Sequence, residues 1–360
     1  MLRRIKKTGY LDLNKYLDIY NKAILYSALH QFLLMPKPKL TALNFALQGG
    51  GALGALTWGV LDRLLEERHL RIEAISGTSA GAMNAAALAS GWSAGGRRGA
   101  QQALSDFWAA VGASGSSLPV SNRLMLDLFR LFSPSQINPF DINPLRKIIT
   151  EHIDFKALRS RRAIRLFIAA TRLRTGALKL FENKEISADA LLASACLPTM
   201  NHAIEIDGEP YWDGGYSGNP AIYPLLYRCQ TPDILIVRLQ PMQRDESPTS
   251  ADAIRARMID FQFNATFLRE MRNFVLAKRE VEKQWMPLGN LARKLKRLNF
   301  HLIEADDLIG SMRTDKALNA TPEFLLKLRD EGRTRADAWL NKNAGLVGRR
   351  SSVDLDAFVA

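Results

Sequence analysis

Along much of the chain, short continuous apolar runs alternate with stretches whose apolar residues recur every three or four positions. Residues 43–47 form the first such run, a glycine cluster follows, and a helical pattern holds from about 53 to 67. A second run at 72–75 leads into a small-residue helix that begins near Ala80. Short apolar runs bounded by turn residues suit strands buried on both faces. The order strand, helix, strand, helix therefore predicts an α/β fold around a parallel sheet. Further strands are expected at 163–170, 178–181 and 234–239.

After about residue 250 the strand signal nearly vanishes. Ile254, Met258, Phe261, Ala265, Leu268, Met271 and Val275 mark the apolar stripe of a long helix, read as core packing, and a last helix is expected over 322–340. At the other end, Leu13, Leu17, Tyr20, Ile24 and Ala28 outline one helix that Pro36 and Pro38 terminate. The chain thus divides into a basic amphipathic leader (1–39), an α/β body (40–245) and a helical region (246–360) packed on that body. No internal repeat or low-complexity tract interrupts this plan.

With 360 residues, 47% hydrophobic and 24% charged, the composition is globular and excludes a disordered or fibrous chain. Two cysteines, Cys196 and Cys229, are too few for a disulfide framework and read as packed thiols. The histidines at 30, 69, 152, 202 and 301 stand at no metal-ligand spacing, so neither a metal nor a cofactor is expected. Arg3, Arg4, Lys6 and Lys7 precede a polar stretch rather than a signal-like apolar core. The apolar stretch 23–35 is interrupted by Ser27, His30 and Gln31, short of the roughly 20 residues that span a bilayer. These features predict a cytoplasmic protein, peripheral if it meets a membrane.

The net charge of +13 changes the picture because it is local. Eight basic residues face two acidic ones in 1–40, eight face none in 155–180, and nine face three in 269–298, so the remainder is net acidic. The leader combines its charge with Tyr10, Tyr16, Tyr20 and Tyr26, a combination suited to an anionic membrane surface. No helix-turn-helix, zinc or base-stacking signature accompanies the basic windows, which argues against nucleic acid.

The chemistry begins at Gln48-Gly49-Gly50-Gly51-Ala52-Leu53-Gly54, between an apolar strand and a helix. Gly49, Gly51 and Gly54 match a dinucleotide fingerprint, but that fold needs an acidic residue closing the second strand, and only Glu73, near its start, is on offer. Glycines in this place let backbone amides approach a negative atom, whether phosphate or oxyanion. The second strand closes instead on Gly77-Thr78-Ser79-Ala80-Gly81, a GxSxG at a strand-to-helix turn that would expose a serine hydroxyl. Amides of Gly50, Gly51 and Ala80 are candidate oxyanion donors. No histidine stands in a recognisable setting to serve as base. Asp213, followed by Gly214 and Gly215, can be presented by a tight turn.

Together these segments resemble the three blocks of the patatin-like phospholipase family, in that family's order. Leu192-Ala193-Ser194-Ala195-Cys196-Leu197-Pro198 is similar to the segment that precedes its aspartate. The resemblance, over about residues 40 to 240, implies a three-layer fold with a central, mostly parallel sheet. It implies Ser79 as nucleophile on an elbow of Gly77, Thr78, Ala80 and Gly81, and Asp213 as general base without a histidine. Gly49, Gly50, Gly51 and Gly54 would form the oxyanion hole, and Gly214 and Gly215 the aspartate turn. The implied reaction is hydrolysis of lipid acyl esters through an acyl-enzyme. An ordinary carboxylate, with a pKa of about 3.9, is a weak base and needs desolvation for that role.

Two departures stand out. Leu53 occupies a position where many members carry Arg or Lys, which predicts an apolar wall beside the turn. Asp-Gly-Gly replaces the common Asp-Gly-Ala, a change expected to leave the turn intact. Two alternatives remain: the same dyad acting on a polyester or other non-phospholipid ester, and a non-catalytic nucleotide- or lipid-binding module built on the glycine turn.

Overall fold

The computed structural model describes residues 42–115, 133–160, 163–242, 247–285, 289–310 and 319–359. The leader helix expected within 1–39 lies outside them. In chain order the body runs β1 (Ala42–Leu47), a 3-10 turn (Gly51–Leu53), α1 (Gly54–Leu64), β2 (Arg71–Thr78) and α2 (Ala80–Gly115), the last broken at Gly95 and Gly96. It continues with α3 (Pro144–His152), β3 (Arg165–Arg172), β4 (Leu178–Glu182), α4 (Ala188–Ser194), β5 (Ile204–Ile206), β6 (Glu209–Asp213) and α5 (Tyr223–Arg228). Then follow β7 (Asp233–Val237), α6 (Ala251–Glu282), α7 (Gly289–Arg297), β8 (Asn299–Ile303) and α8 (Pro322–Asn343).

The strands form a mixed sheet in the order β5-β6-β3-β2-β1-β7-β8, with β4 also paired to β3. The run β3-β2-β1-β7-β8 is parallel, and the β4, β5 and β6 pairings are antiparallel. One junction matters most. Parallel β2 accompanies β3 as far as Thr78 opposite Ala169, and antiparallel β6 meets β3 from Ala170, opposite Asp213, to Arg172. Because β4 holds the other edge of β3 over Phe167 to Thr171, β6 takes the edge that β2 vacates.

Alternation along the strands builds two apolar layers. Leu43, Phe45 and Leu47 of β1 and Leu166, Ile168 and Ala170 of β3 face a cluster that includes Leu56 and Leu61 of α1, Phe107 of α2 and Leu328 of α8. Ala46, Phe167, Ile234 and Ile236 face the opposite way, against Leu225 of α5, Phe267, Met271 and Val275 of α6, and Phe300 of β8. Glu270 fixes α6 to α5 by accepting hydrogen bonds from the Ile222 and Tyr223 amides (3.0 and 2.5 Å). Burial pushes that carboxyl up to about 7.

Two expectations need correction. The region after 250 holds a full strand, β8, which Asn299 and His301 conceal because both are buried polar residues inside it. The stripe of α6 is also out of phase over its first half. Ile254, Met258 and Phe261 are 43, 55 and 56% exposed, and the buried face is Phe263, Phe267, Met271, Phe274 and Val275. The helix begins three turns before it reaches the sheet, so only its later part has a layer to pack on.

Helix α8 crosses α1 through glycines. A Cβ on Gly332 would run into the Leu56 carbonyl, and one on Gly59 into the Arg329 backbone. Gly332→Ala is expected to lower stability by about 1–3 kcal/mol despite a helix-propensity gain of about 1 kcal/mol, seen as a lower melting temperature. An unchanged or higher melting temperature would show that the helices separate freely.

Candidate functional site

Ser79 follows the last residue of β2 with φ 53°, a left-handed conformation that costs a non-glycine residue roughly 1–2 kcal/mol. The surroundings hold it there. Its amide donates to Ser194 Oγ of α4 (2.9 Å), and its carbonyl accepts the Met83 amide (3.1 Å) as α2 begins. Thr78 Oγ1 donates to the Gly218 carbonyl (2.7 Å). A Cβ on Gly77 would lie 2.6 Å from the Gly81 carbonyl oxygen, so the flanks of the serine must stay bare.

The glycine turn lies directly over this serine. A Cβ on Gly49 would come within 2.8 Å of Ser79 Cβ. The Gly49 amide already donates to Asn219 Oδ1 (2.7 Å), which removes it from the expected oxyanion donors and leaves the Gly50 and Gly51 amides on the more exposed side of the turn. Gly54 serves close packing: a Cβ there would meet Ala80 Cβ at 2.6 Å. The N-termini of α1 and α2 consequently converge, and their dipoles favour negative charge beside Ser79. Asn84 ties them together, donating to the Gly54 and Ala80 carbonyls (both 3.0 Å) while accepting from Trp108 Nε1 (2.9 Å). Leu53, expected as a wall of the site, is 5% exposed and belongs to the core.

Asp213 ends β6 fully buried. Its Oδ1 accepts the Gly215 amide (2.7 Å), whereas Oδ2 has no hydrogen-bond partner. Desolvation pushes its pKa up to about 7, opposed by the Gly215 amide and by the Ser79 side chain. The serine hydroxyl is therefore near enough to favour the carboxylate, yet it does not meet hydrogen-bond geometry to Oδ2. Gly215 is more constrained than the sequence suggests, because an added Cβ would collide with the Phe263 ring of α6. Asp-Gly-Ala would not fit this turn unless Phe263 moved.

Residues to which motif reading gave no role form the support. Gln48 Oε1 accepts the Leu239 and Gln240 amides (both 2.7 Å), and its Nε2 donates to the Asn219 carbonyl and to Asn264 Oδ1 (both 3.2 Å). Asn219 Nδ2 donates to the Phe263 carbonyl (3.2 Å). Ser194 lay inside a segment singled out by resemblance; Asn219 and Asn264 carried no local signal.

Among the described residues no histidine joins Ser79. His202 Nε2 bonds the Asn138 carbonyl (3.0 Å). His301 lies between Asp233 Oδ1 (3.0 Å) and Ser352 Oγ (2.9 Å), wholly buried on edge strand β8, where it ties the C-terminal segment to the sheet. Glu73 accepts the Gln230 and Thr231 amides, which leaves it unsuited to hold a ribose. Among the described residues no cluster of three metal-ligating side chains occurs, and no helix is long and apolar enough to cross a membrane. Both cysteines are buried, with burial pushing each thiol up to about 12.

A mostly parallel sheet carries a strand–serine turn–helix elbow at its centre, covered by a glycine turn and flanked by a buried aspartate, which places the protein in the α/β class with a serine elbow. The sequence profile of the patatin-like phospholipase family matches residues 45–226, half of the chain, and the chain belongs to that family. Membership points to lipid acyl hydrolysis. Among solved structures, VipD from Legionella pneumophila is similar at 14% identity and a TM-score of 0.41, over 85% of this chain and 67% of that one. The sequence finds no match among curated proteins.

The state of Asp213 is measurable through stability. Folded, it keeps its proton up to about 7, against an ordinary value of 3.8, so its contribution is fully present below about pH 3.8 and is lost as pH rises through about 7. Asp213→Asn retains an acceptor for the Gly215 amide and carries no charge. It is expected to melt above the wild type at pH 8 and close to it at pH 4; a lower melting temperature at both would mean the carboxylate is not buried at a cost.

Proposed function

We propose that the protein hydrolyses lipid acyl esters with Ser79 as nucleophile and Asp213 as general base. In this reading Asp213 Oδ2 takes the Ser79 hydroxyl proton as Oγ attacks the ester carbonyl carbon. The negative charge that forms on the carbonyl oxygen is held by the Gly50 and Gly51 amides and the converging helix N-termini. Collapse breaks the bond to the alcohol, which leaves with the proton from Asp213. Water then attacks the acyl-enzyme and gives its proton to Asp213. Collapse of this second intermediate breaks the bond to Oγ, which takes the proton back from Asp213; the acid departs and both residues are restored.

The observation that carries this reading is the unpartnered Oδ2 of a fully buried aspartate beside a strained serine. An acceptor without a donor is costly in a folded interior, so one retained at this place suits a proton it must receive during turnover. A pKa near 7 is also a better match to a base working at neutral pH than an ordinary carboxylate. The reading covers phospholipids and other acyl esters alike, polyesters included. A binding module without chemistry has no use for the strained serine.

A fluorophosphonate probe is expected to label Ser79 alone, and Ser79→Ala to lower kcat/KM for a soluble short-chain ester by roughly 10⁴-fold or more. Asp213→Asn should lower it by roughly 10²–10⁴-fold, and wild-type activity should rise with pH through about 7 as the carboxylate forms. Labelling that persists in Ser79→Ala, or near-normal turnover by Asp213→Asn, would overturn the assignment.

A further inference from the structure

The first three turns of α6 are unusual for a soluble protein. From Ala251 to Gln262 the side chains described are exposed, apart from Arg257 and Asp260, and the apolar ones among them include Ile254, Met258, Ile259 and Phe261. The next residue, Phe263, already packs on Gly215 and, at 5.2 Å between rings, on Tyr216. The exposed apolar turns therefore grow directly out of the Asp213 loop.

A second apolar projection leaves the other flank of the same aspartate. The Asp213 amide donates to the Cys196 carbonyl (2.8 Å), Cys196 Sγ to the His202 carbonyl (3.0 Å), and His202 Nε2 contacts the Asn138 carbonyl (3.0 Å). Asn138 clamps its own loop through reciprocal bonds with Ile142 (both 2.9 Å). That loop holds Phe140 and Ile142 at 85 and 69% exposure.

Among the described side chains of α6 from Ala253 to Arg272, charge follows the same division. Asp260 and Glu270 turn inward, toward the Arg257 side chain and the α5 amides respectively, while Arg255, Arg269 and Arg272 are exposed; farther along, Glu280 and Glu282 are exposed as well. An apolar tip with cations outward and acids inward complements an anionic bilayer: the tip inserts and the guanidinium groups meet phosphates. Two surface clefts, lined around Arg172 and Tyr211 and around Leu226 and Lys294, contain neither Ser79 nor Asp213.

We propose that the N-terminal turns of α6, together with the loop 138–142, dock the enzyme on an anionic lipid surface and bring that surface to Ser79. The proposal rests on the lipid-hydrolase reading, and its test separates the two. Binding is measured on the full chain in a Ser79→Ala background, by co-sedimentation with vesicles of phosphatidylcholine and phosphatidylglycerol and with phosphatidylcholine alone. The parent is expected to prefer the anionic vesicles, Ile254→Asp with Met258→Asp to bind them about tenfold or more weakly, and Ile254→Leu with Met258→Leu to bind as the parent does. Arg269→Glu with Arg272→Glu should remove the preference for anionic vesicles. With Ser79 restored, each variant should retain turnover of a soluble short-chain ester within about twofold, which reports an intact fold. Vesicle binding unchanged by the aspartate pair would overturn the proposal. So would light scattering that shows a parent dimer which this pair dissociates while vesicle binding persists, since the surface would then belong to a second copy. If Ser79→Ala does not affect soluble-ester turnover, the catalytic assignment fails and the vesicle result stands apart from it.

Discussion

The arrangement of the site depends on one edge of one strand. β3 offers that edge to β2 up to Ala169 and to β6 from Ala170, so the residue after Thr78 and the last residue of β6 are forced to neighbouring positions. No loop needs to bring Ser79 and Asp213 together; the ladder of hydrogen bonds does so. The exchange also sets direction. β2 arrives parallel and must leave the sheet into α2 at that point, while β6 arrives antiparallel and must turn there, and both departures use tight glycine-flanked turns. A slip of one residue in either pairing would carry its side chain to the other face of the sheet, so the register of two short ladders is held by the whole apolar sandwich.

That sandwich offsets two local costs. A left-handed Ser79 and a buried carboxyl with an open oxygen are each unfavourable, and both persist because their neighbours leave no relaxed alternative. Gly49 presses on Ser79 from one side, Ser194 holds its amide from another, and Phe263 closes the Asp213 turn from the third. The Gln48, Asn219 and Asn264 network locks the glycine turn to α6 and to the end of β7, so the same long helix that packs the second core also shapes the site. The second core and the site are coupled through α6, whose exposed turns end where its packed turns begin.

Much of this was legible in the sequence where the signal is local. Gly-x-Ser-x-Gly at a strand end and Asp-Gly-Gly after a strand encode turns whose geometry depends on their own few residues, so reading them required no partner. Contacts between distant segments left no such trace. Asn219 holds the Gly49 amide across 170 positions, and no spacing rule could pair them. The phase of α6 failed for a related reason: two stripes of helical period overlap in its sequence, and only the extent of the sheet decides which is buried. β8 was hidden because His301 and Asn299 find buried partners in Asp233, whereas polar residues in a strand normally argue for exposure.

Charge shows the same limit with the opposite lesson. Two basic windows far apart in sequence meet at the C-terminus of α5, where Lys294 donates to the Leu226, Tyr227 and Cys229 carbonyls and Arg165 to the Arg228 carbonyl. Those carbonyls are the negative end of a helix, and cations there satisfy groups the helix itself leaves open. The place lies beside Gln230 and Thr231, which bond Glu73 in the first half of β2, whereas Ser79 follows its last residue. Cations engaged there are held by carbonyls of the protein itself. A positive total therefore says little about where an anionic surface would meet this protein. Among the described residues, Arg269 and Arg272 on the outer face of α6 are the cations on which the docking proposal draws.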